Sequence, residues 1–143
     1  MEVKVINKSA QPLPEYGTKG SAGVDLRANI EAPIVIYPME RTVIPTGLYM
    51  AIPEGYMLSI RPRSGLSLKE GITVVNTPGT IDSDYRNEVG VILINLSNQP
   101  KTISPGMRIA QGVLLKYETI EWNTIDELDE TERTGGFGST GTK

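Results

Sequence analysis

Asn76-Thr77-Pro78-Gly79-Thr80-Ile81-Asp82-Ser83-Asp84-Tyr85-Arg86 joins two strongly β-patterned runs, 71–75 and 88–96. Turn-forming residues (Asn76, Pro78, Gly79, Asp84, Asn87) surround one apolar residue, Ile81, so the stretch reads as a connection between strands. Such a connection needs polar residues for solvation, but it does not need two carboxylates, a phenol and a guanidinium together. Asp82 follows an apolar neighbour, which should hold it at a strand edge, where a fixed carboxylate can orient a water molecule and take its proton. Tyr85 has a flat apolar face that can pack on a sugar ring. A plainer reading stands beside this one: the two aspartates terminate a hairpin and Tyr85 fills a cross-strand position.

Outward from this stretch the chain keeps the same texture. Short β-patterned runs are expected at 3–7, 22–28, 34–37, 41–48, 49–52, 56–63, 71–75, 89–96, 101–103 and 108–115, with a further one at 119–122. Pro53-Glu54-Gly55 and Ser104-Pro105-Gly106 read as turns. Single helical turns are expected around Gly65–Lys69 and at Asp126–Glu130, the second too short to hold without packing. With 15 glycines and 10 prolines in 143 residues, the expected class is all-β, a jelly-roll-like β-sandwich or barrel in one domain. A chain of this size has a modest core and a large surface-to-volume ratio, which favours assembly.

Composition excludes several chemistries. The chain has no cysteine and no histidine, which removes disulfides, thiolate or imidazole metal sites and Ser-His-Asp catalysis. Catalysis must rest on carboxylates, Arg or Lys, hydroxyls, backbone groups and a hard metal. A formal net charge of −3 disfavours a general nucleic-acid binder. No apolar run approaches the roughly 20 residues that span a bilayer, and the N-terminus lacks a signal-peptide layout, so a soluble, cytoplasmic protein is expected.

Other segments carry paired readings. Arg61-Pro62-Arg63-Ser64-Gly65-Leu66 leaves a strand and enters the helical turn: either an anion site built on helix-start amides, or a Ser64 N-cap beside surface arginines. Asp25, in Ala22-Gly23-Val24-Asp25-Leu26-Arg27-Ala28, is half-buried on a strand, to be paired with an arginine or to serve a metal or phosphate shell. Gln111, in Gly106-Met107-Arg108-Ile109-Ala110-Gln111-Gly112-Val113, reads by itself as a hydrogen-bonded strand glutamine. The tail, Glu132-Arg133-Thr134-Gly135-Gly136-Phe137-Gly138-Ser139-Thr140-Gly141, is either a frayed end or a glycine-rich arm that closes over phosphates. Arg133 and Phe137 favour the arm, since a guanidinium grips phosphate and a phenyl ring stacks on a base.

The segments AGVDLRA (22–28), RPRSGLSLK (61–69), NTPGTIDSDYR (76–86), GMRIAQGV (106–113) and TERTGGFGSTG (131–141) resemble, in this order, the five motifs of the homotrimeric deoxyuridine triphosphatases. Each motif alone is weak; the ordered set covers essentially the whole chain and is specific. Two departures stand out. Asn87 replaces the usual glycine after Tyr-Arg, and the segment before Gly135-Gly136-Phe137 is one residue shorter than usual.

The resemblance implies a jelly-roll trimer with shared sites and two parts, a β-barrel domain over 1–130 and a C-terminal arm over 131–143. It implies hydrolysis of dUTP to dUMP and pyrophosphate by attack of water on the α-phosphorus, keeping uracil out of DNA and supplying dUMP for thymidylate synthesis. The partners implied are dUTP and further copies of the chain, with no nucleic acid or membrane. The cofactor implied is Mg2+, held mainly by the substrate phosphates, with Asp25 touching its water shell. Asp82 would be the catalytic carboxylate, also accepting the deoxyribose 3′-hydroxyl, and Gln111 would meet the α-phosphate or the attacking water. Arg63, Ser64 and Gly65 would hold phosphates. Asn76, Gly79, Thr80, Ile81 and Gly90 would frame uracil, reading an acceptor–donor–acceptor edge that cytosine lacks. Tyr85 would exclude a ribose 2′-hydroxyl, and Arg133, Phe137 and Gly138 would arrive with the arm, whose closure excludes water. The first, second and fourth motifs would come from one chain, the third from a neighbour and the fifth from the remaining chain. Two alternatives stay open: a deoxycytidine triphosphate deaminase of the same fold, which needs a glutamate base, and a nucleotide-responsive regulatory or interaction protein.

Overall fold

Alternating apolar and polar residues, interrupted every few positions by Gly or Pro, can bury one face of each short strand and turn sharply between strands. The computed structural model describes residues 1–132 together with Gly135 and Gly136. In chain order the elements are β1 (Lys4–Asn7), β2 (Val24–Arg27), β3 (Ile34–Ile36), β4 (Arg41–Pro45), β5 (Leu48–Ala51), β6 (Tyr56–Arg61), α1 (Ser64–Glu70), β7 (Ile72–Val74), β8 (Gly79–Ile81), β9 (Gly90–Asn95), β10 (Lys101–Ile103) and β11 (Arg108–Lys116).

All pairings are antiparallel. One sheet runs β2-β11-β6-β8 and a second β4-β9-β7, with the pairs β1-β5 and β10-β3 at the flanks. The inner faces of the two larger sheets meet in a single core: Leu26 from β2, Leu58 and Ile60 from β6 and Ile109 and Ala110 from β11 face Ile44, Val91, Leu93, Ile72 and Val74. Each such aliphatic side chain contributes ~1.5–3 kcal/mol on burial. This is the all-β sandwich expected from the turn spacing. Asn95 is buried in it at no hydrogen-bonding loss: its Nδ2 donates to the carbonyls of Ile36 (2.9 Å) and Gln99 (2.8 Å), and its Oδ1 accepts from Ser97 N (2.8 Å) and Oγ (2.7 Å).

Five expectations need correction. The stretch 76–86 is more than a connection, because Gly79–Ile81 pairs with β6 as an edge strand, Gly79 opposite Ile60 and Ile81 opposite Leu58. The run 41–48 breaks after Pro45, since Gly47 takes a left-handed φ of 72° that no strand tolerates. Ser64 is the first helical residue; the N-cap is Arg63, with no side-chain cap hydrogen bond. Thr119–Trp122 forms no strand, because it has no pairing partner among the described residues. Asp126–Glu130 forms no helix, and every residue from 118 to 132 is exposed, so neither segment has a surface to pack on. The helix ends where Gly71 adopts φ 68° and donates its N–H to the Ser67 carbonyl (3.1 Å). No helix among the described residues is long and apolar enough to cross a membrane.

Candidate active site: a hairpin pocket and an ion-paired edge

The sequence-selected residues fall into two groups, one on the edge strand β8 and its continuation, the other spread over β2, β11 and the end of β6. The first is built on β8 and its continuation. After the cis Thr77–Pro78 bond, β8 runs along β6 and then turns at Asp82, whose carbonyl accepts the N–H of Tyr85 (3.2 Å). The result is a cavity of about 320 Å3 lined by Asn76, Gly79, Thr80, Ile81, Asp82, Tyr85 and Gly90, with Val43, Ile60, Glu88 and Ile92 completing its wall. That volume is at the small end for ligand pockets and suits a single ring-bearing molecule.

The glycines here make room. A Cβ on Gly79 would stand 3.2 Å from Ile60 Cβ and 3.3 Å from Asn76 Nδ2, and one on Gly90 would stand 2.8 Å from Val43 Cγ1. Tyr85 is 37% exposed, and its hydroxyl donates to the Glu88 carbonyl (3.0 Å), so the ring stands at the pocket edge with its phenol tied back to the backbone. Asp82 is exposed, and its carboxylate makes no hydrogen bond or ion pair with another described residue.

The second group centres on Asp25. Register places Asp25 of β2 beside Gln111 of β11, and Gln111 beside Arg61 of β6, so the three share one face. Arg63, just beyond β6, reaches across β11 so that its Nε lies 2.8 Å from Asp25 Oδ1, while Arg108 Nη1 lies 3.1 Å from Oδ2. Arg63 Nη1 also donates to the Arg108 carbonyl (3.3 Å). Gln111 donates from Nε2 to the Pro62 carbonyl (3.0 Å), and its Oε1 occupies the space a Cβ on Gly23 would take, 2.7 Å away. Ser64 and Gly65 open α1 immediately after Arg63 and are exposed. Asp25 and Arg108 also line a cavity of about 510 Å3 with the 9–17 loop.

The two carboxylates thus differ in kind. Asp25 already balances two guanidinium groups; Asp82 has no such partner among the described residues and stands beside a pocket. Among the described residues, no cluster of His, Cys, Asp or Glu could hold a metal ion by itself. With both Asp25 oxygens engaged, a magnesium ion fits here only when its inner ligands come from phosphate and water, with Asp25 reached through that water.

Arg133, Phe137 and Gly138 lie outside the described residues. Sequence reading passed over Val43, Ile60, Glu88 and Ile92 in the pocket wall and Arg108 as the second partner of Asp25. The signal for Val43 and Ile92 is their alternation with buried Ile44, Val91 and Leu93, which turns them to the opposite face. Arg108 sits inside a segment already singled out, three positions before Gln111.

Comparison with known proteins agrees with the motif order. The family model described as dUTPase matches residues 9–141. The chain is 60% identical over 142 residues to the deoxyuridine 5′-triphosphate nucleotidohydrolase of Finegoldia magna, covering 99% of each chain. It is 56% identical to the enzyme of the same name from Fusobacterium nucleatum, covering 99% of this chain and 97% of that one. Among solved structures it superposes on a variant of the Staphylococcus bacteriophage 80alpha dUTPase with dUpNHpp, at a TM-score of 0.83 and 25% identity over 99% of both chains. The chain belongs to the dUTPase family.

Proposed function

We propose that the hairpin pocket and the ion-paired edge are the two halves of a site that hydrolyses dUTP to dUMP and pyrophosphate. The family membership and the named relatives carry the overall reaction. The observation that carries the site assignment is the carboxylate of Asp82, without a partner among the described residues, at the wall of a pocket of about 320 Å3. Asp82 accepts a proton from water as the water oxygen bonds to the α-phosphorus; the bond from that phosphorus to the bridging oxygen breaks, and pyrophosphate leaves with the electron pair. Its second oxygen accepts the 3′-hydroxyl of the deoxyribose.

Asn76, Gly79, Thr80, Ile81 and Gly90 hold uracil, with Tyr85 against the deoxyribose. Arg63, Ser64 and Gly65 hold phosphates, and Gln111 meets the α-phosphate or the attacking water. Arg63 and Arg108 fit this role because Asp25 fixes both guanidinium groups while leaving donors free to meet oxygen. Asp25 would meet the hydration shell of a magnesium ion carried on the triphosphate, which would supply charge neutralisation there. Arg133, Phe137 and Gly138 belong to the arm that closes the site and excludes water.

Asp82 follows β8 and Asp25 lies on β2, three strand spacings away in the sheet order, roughly 14 Å at ~4.8 Å each. Apolar side chains such as Ile120 (69% exposed) and Trp122 (84%) reach solvent unpaired. Both features support a trimer in which the hairpin of one copy completes the phosphate side of another. A deaminase reading needs a glutamate base, and the one glutamate in the described pocket wall, Glu88, has its Oε1 engaged by the Gly47 N–H (2.6 Å).

Purified protein incubated with dUTP, dCTP, dTTP and UTP, with and without magnesium, tests this. Pyrophosphate release is expected from dUTP alone and to depend on magnesium; ammonia from dCTP would establish the deaminase instead.

A further inference from the structure

The return leg of the hairpin, Glu88 and Val89, is latched to the turn between β4 and β5. Glu88 Oε1 accepts the Gly47 N–H at 2.6 Å. Thr46, 3% exposed, donates its hydroxyl to the Val89 carbonyl at 2.6 Å, and the Val89 N–H returns to the Leu48 carbonyl at 2.8 Å. Gly47 itself is pinned: its φ is 72°, its carbonyl accepts the Lys8 N–H at 2.8 Å, and a Cβ on it would meet Ser9 at 2.6 Å. The turn is therefore a rigid anchor, and the Glu88 carboxylate ties the hairpin to it through a charge-assisted hydrogen bond, stronger than a neutral one.

The Glu88 backbone carbonyl is also the acceptor of the Tyr85 hydroxyl, at 3.0 Å. The same residue thus holds the anchor through its side chain and Tyr85 through its backbone. The intervening residues, Arg86 and Asn87, are exposed. Arg86 bonds only backwards in the hydrogen bonds it makes, to the carbonyls of Ser83 (2.6 Å) and Tyr85 (2.9 Å). The loop tip is internally tied, and the hydrogen bonds that join its return leg to the β4–β5 turn are those of Glu88 and Val89.

We propose that Glu88 is a positioning residue for sugar selection: by accepting the Gly47 N–H it fixes the carbonyl that holds the Tyr85 phenol, and so fixes the ring against which a ribose 2′-hydroxyl collides. The inference rests on the reading of Tyr85 as the deoxyribose contact. Its chemistry is steric and needs no titration of Glu88. Without the latch the ring can withdraw, the pocket widens, and discrimination falls more than catalysis does.

The readout is the ratio of the inhibition constant of UTP to the KM of dUTP, measured from pyrophosphate release. A purely structural role would lower activity or melting temperature without moving this ratio. Glu88→Ala is expected to lower the ratio about tenfold, the effect of losing one charge-assisted hydrogen bond. Glu88→Gln keeps an amide oxygen that can accept from Gly47 and should stay within about threefold of the parent. Tyr85→Phe removes only the hydroxyl that meets the Glu88 carbonyl and should reproduce the fall, which keeps the proposal decidable if Glu88→Ala does not fold. A ratio unmoved in Tyr85→Phe, or in folded Glu88→Ala, overturns the proposal, as does an equal fall in Glu88→Gln and Glu88→Ala. A parent protein that releases no pyrophosphate from dUTP overturns the functional reading instead, so the two failures are distinct.

Discussion

Arg63 Nε and Asp25 Oδ1 stand 2.8 Å apart, joining a residue just beyond β6 to one on β2 across the width of β11. Both side chains keep about a third of their surface (29% and 33%), so solvent screens the pair. In the proposed site its use is to aim the guanidinium. Asp25→Ala should therefore cost about 1 kcal/mol of stability or less. The same change should lower turnover of magnesium-dUTP by about tenfold or more, since Arg63 and Arg108 lose their orientation. Thermal denaturation beside pyrophosphate release checks this; a large stability loss with normal turnover would make the pair a structural strut.

Gly23 tests Gln111 without touching it. A Cβ there would stand 2.7 Å from Gln111 Oε1, the far end of a flexible side chain that can swing away. Gly23→Ala should fold with nearly unchanged melting temperature but behave kinetically like Gln111→Ala. Side-by-side kcat and KM for the two variants check the expectation; normal kcat in Gly23→Ala would remove Gln111 from the reaction.

The core makes a contrast with the surface. Leu93 is fully buried between the sheets, whereas Leu68 is 86% exposed on α1. Leu93→Ala should cost ~2–5 kcal/mol by leaving a cavity, while Leu68→Ala should stay within about 0.5 kcal/mol. Urea denaturation of both variants measures the difference.

Much of this was legible because strand signals are local. The turns at Gly55 and Gly106 are where glycine predicted them, with φ of 81° and 74°. The three-residue β10 was found at its observed bounds. β8 was not, because Asn76, Pro78 and Asp82 crowd a three-residue strand and hide its period; its pairing to β6 is a tertiary fact. Thr119–Trp122 has the alternation of a strand, but pattern alone cannot supply a partner. Asp25 was expected to pair with an arginine or serve a metal or phosphate shell, and it pairs with two arginines. Glu88 was missed because its side-chain hydrogen bond is to Gly47, 41 positions away, a contact that no local pattern encodes.

Removing residues 131–143 takes away Arg133, Phe137 and Gly138 but none of the sandwich strands. The truncated protein should keep its melting temperature and its oligomeric state while turnover of dUTP falls by about 10²-fold or more. Circular dichroism, sedimentation and pyrophosphate release check the three expectations; loss of folding would make the segment part of the scaffold.

The most direct test is Asp82→Asn, assayed for pyrophosphate release from dUTP and for binding of a non-hydrolysable dUTP analogue. Turnover should drop by about 10²–10⁴-fold, the usual contribution of a positioned general base, while analogue binding stays within about threefold. Turnover equal to that of the parent protein would contradict the assignment of this carboxylate to the attacking water.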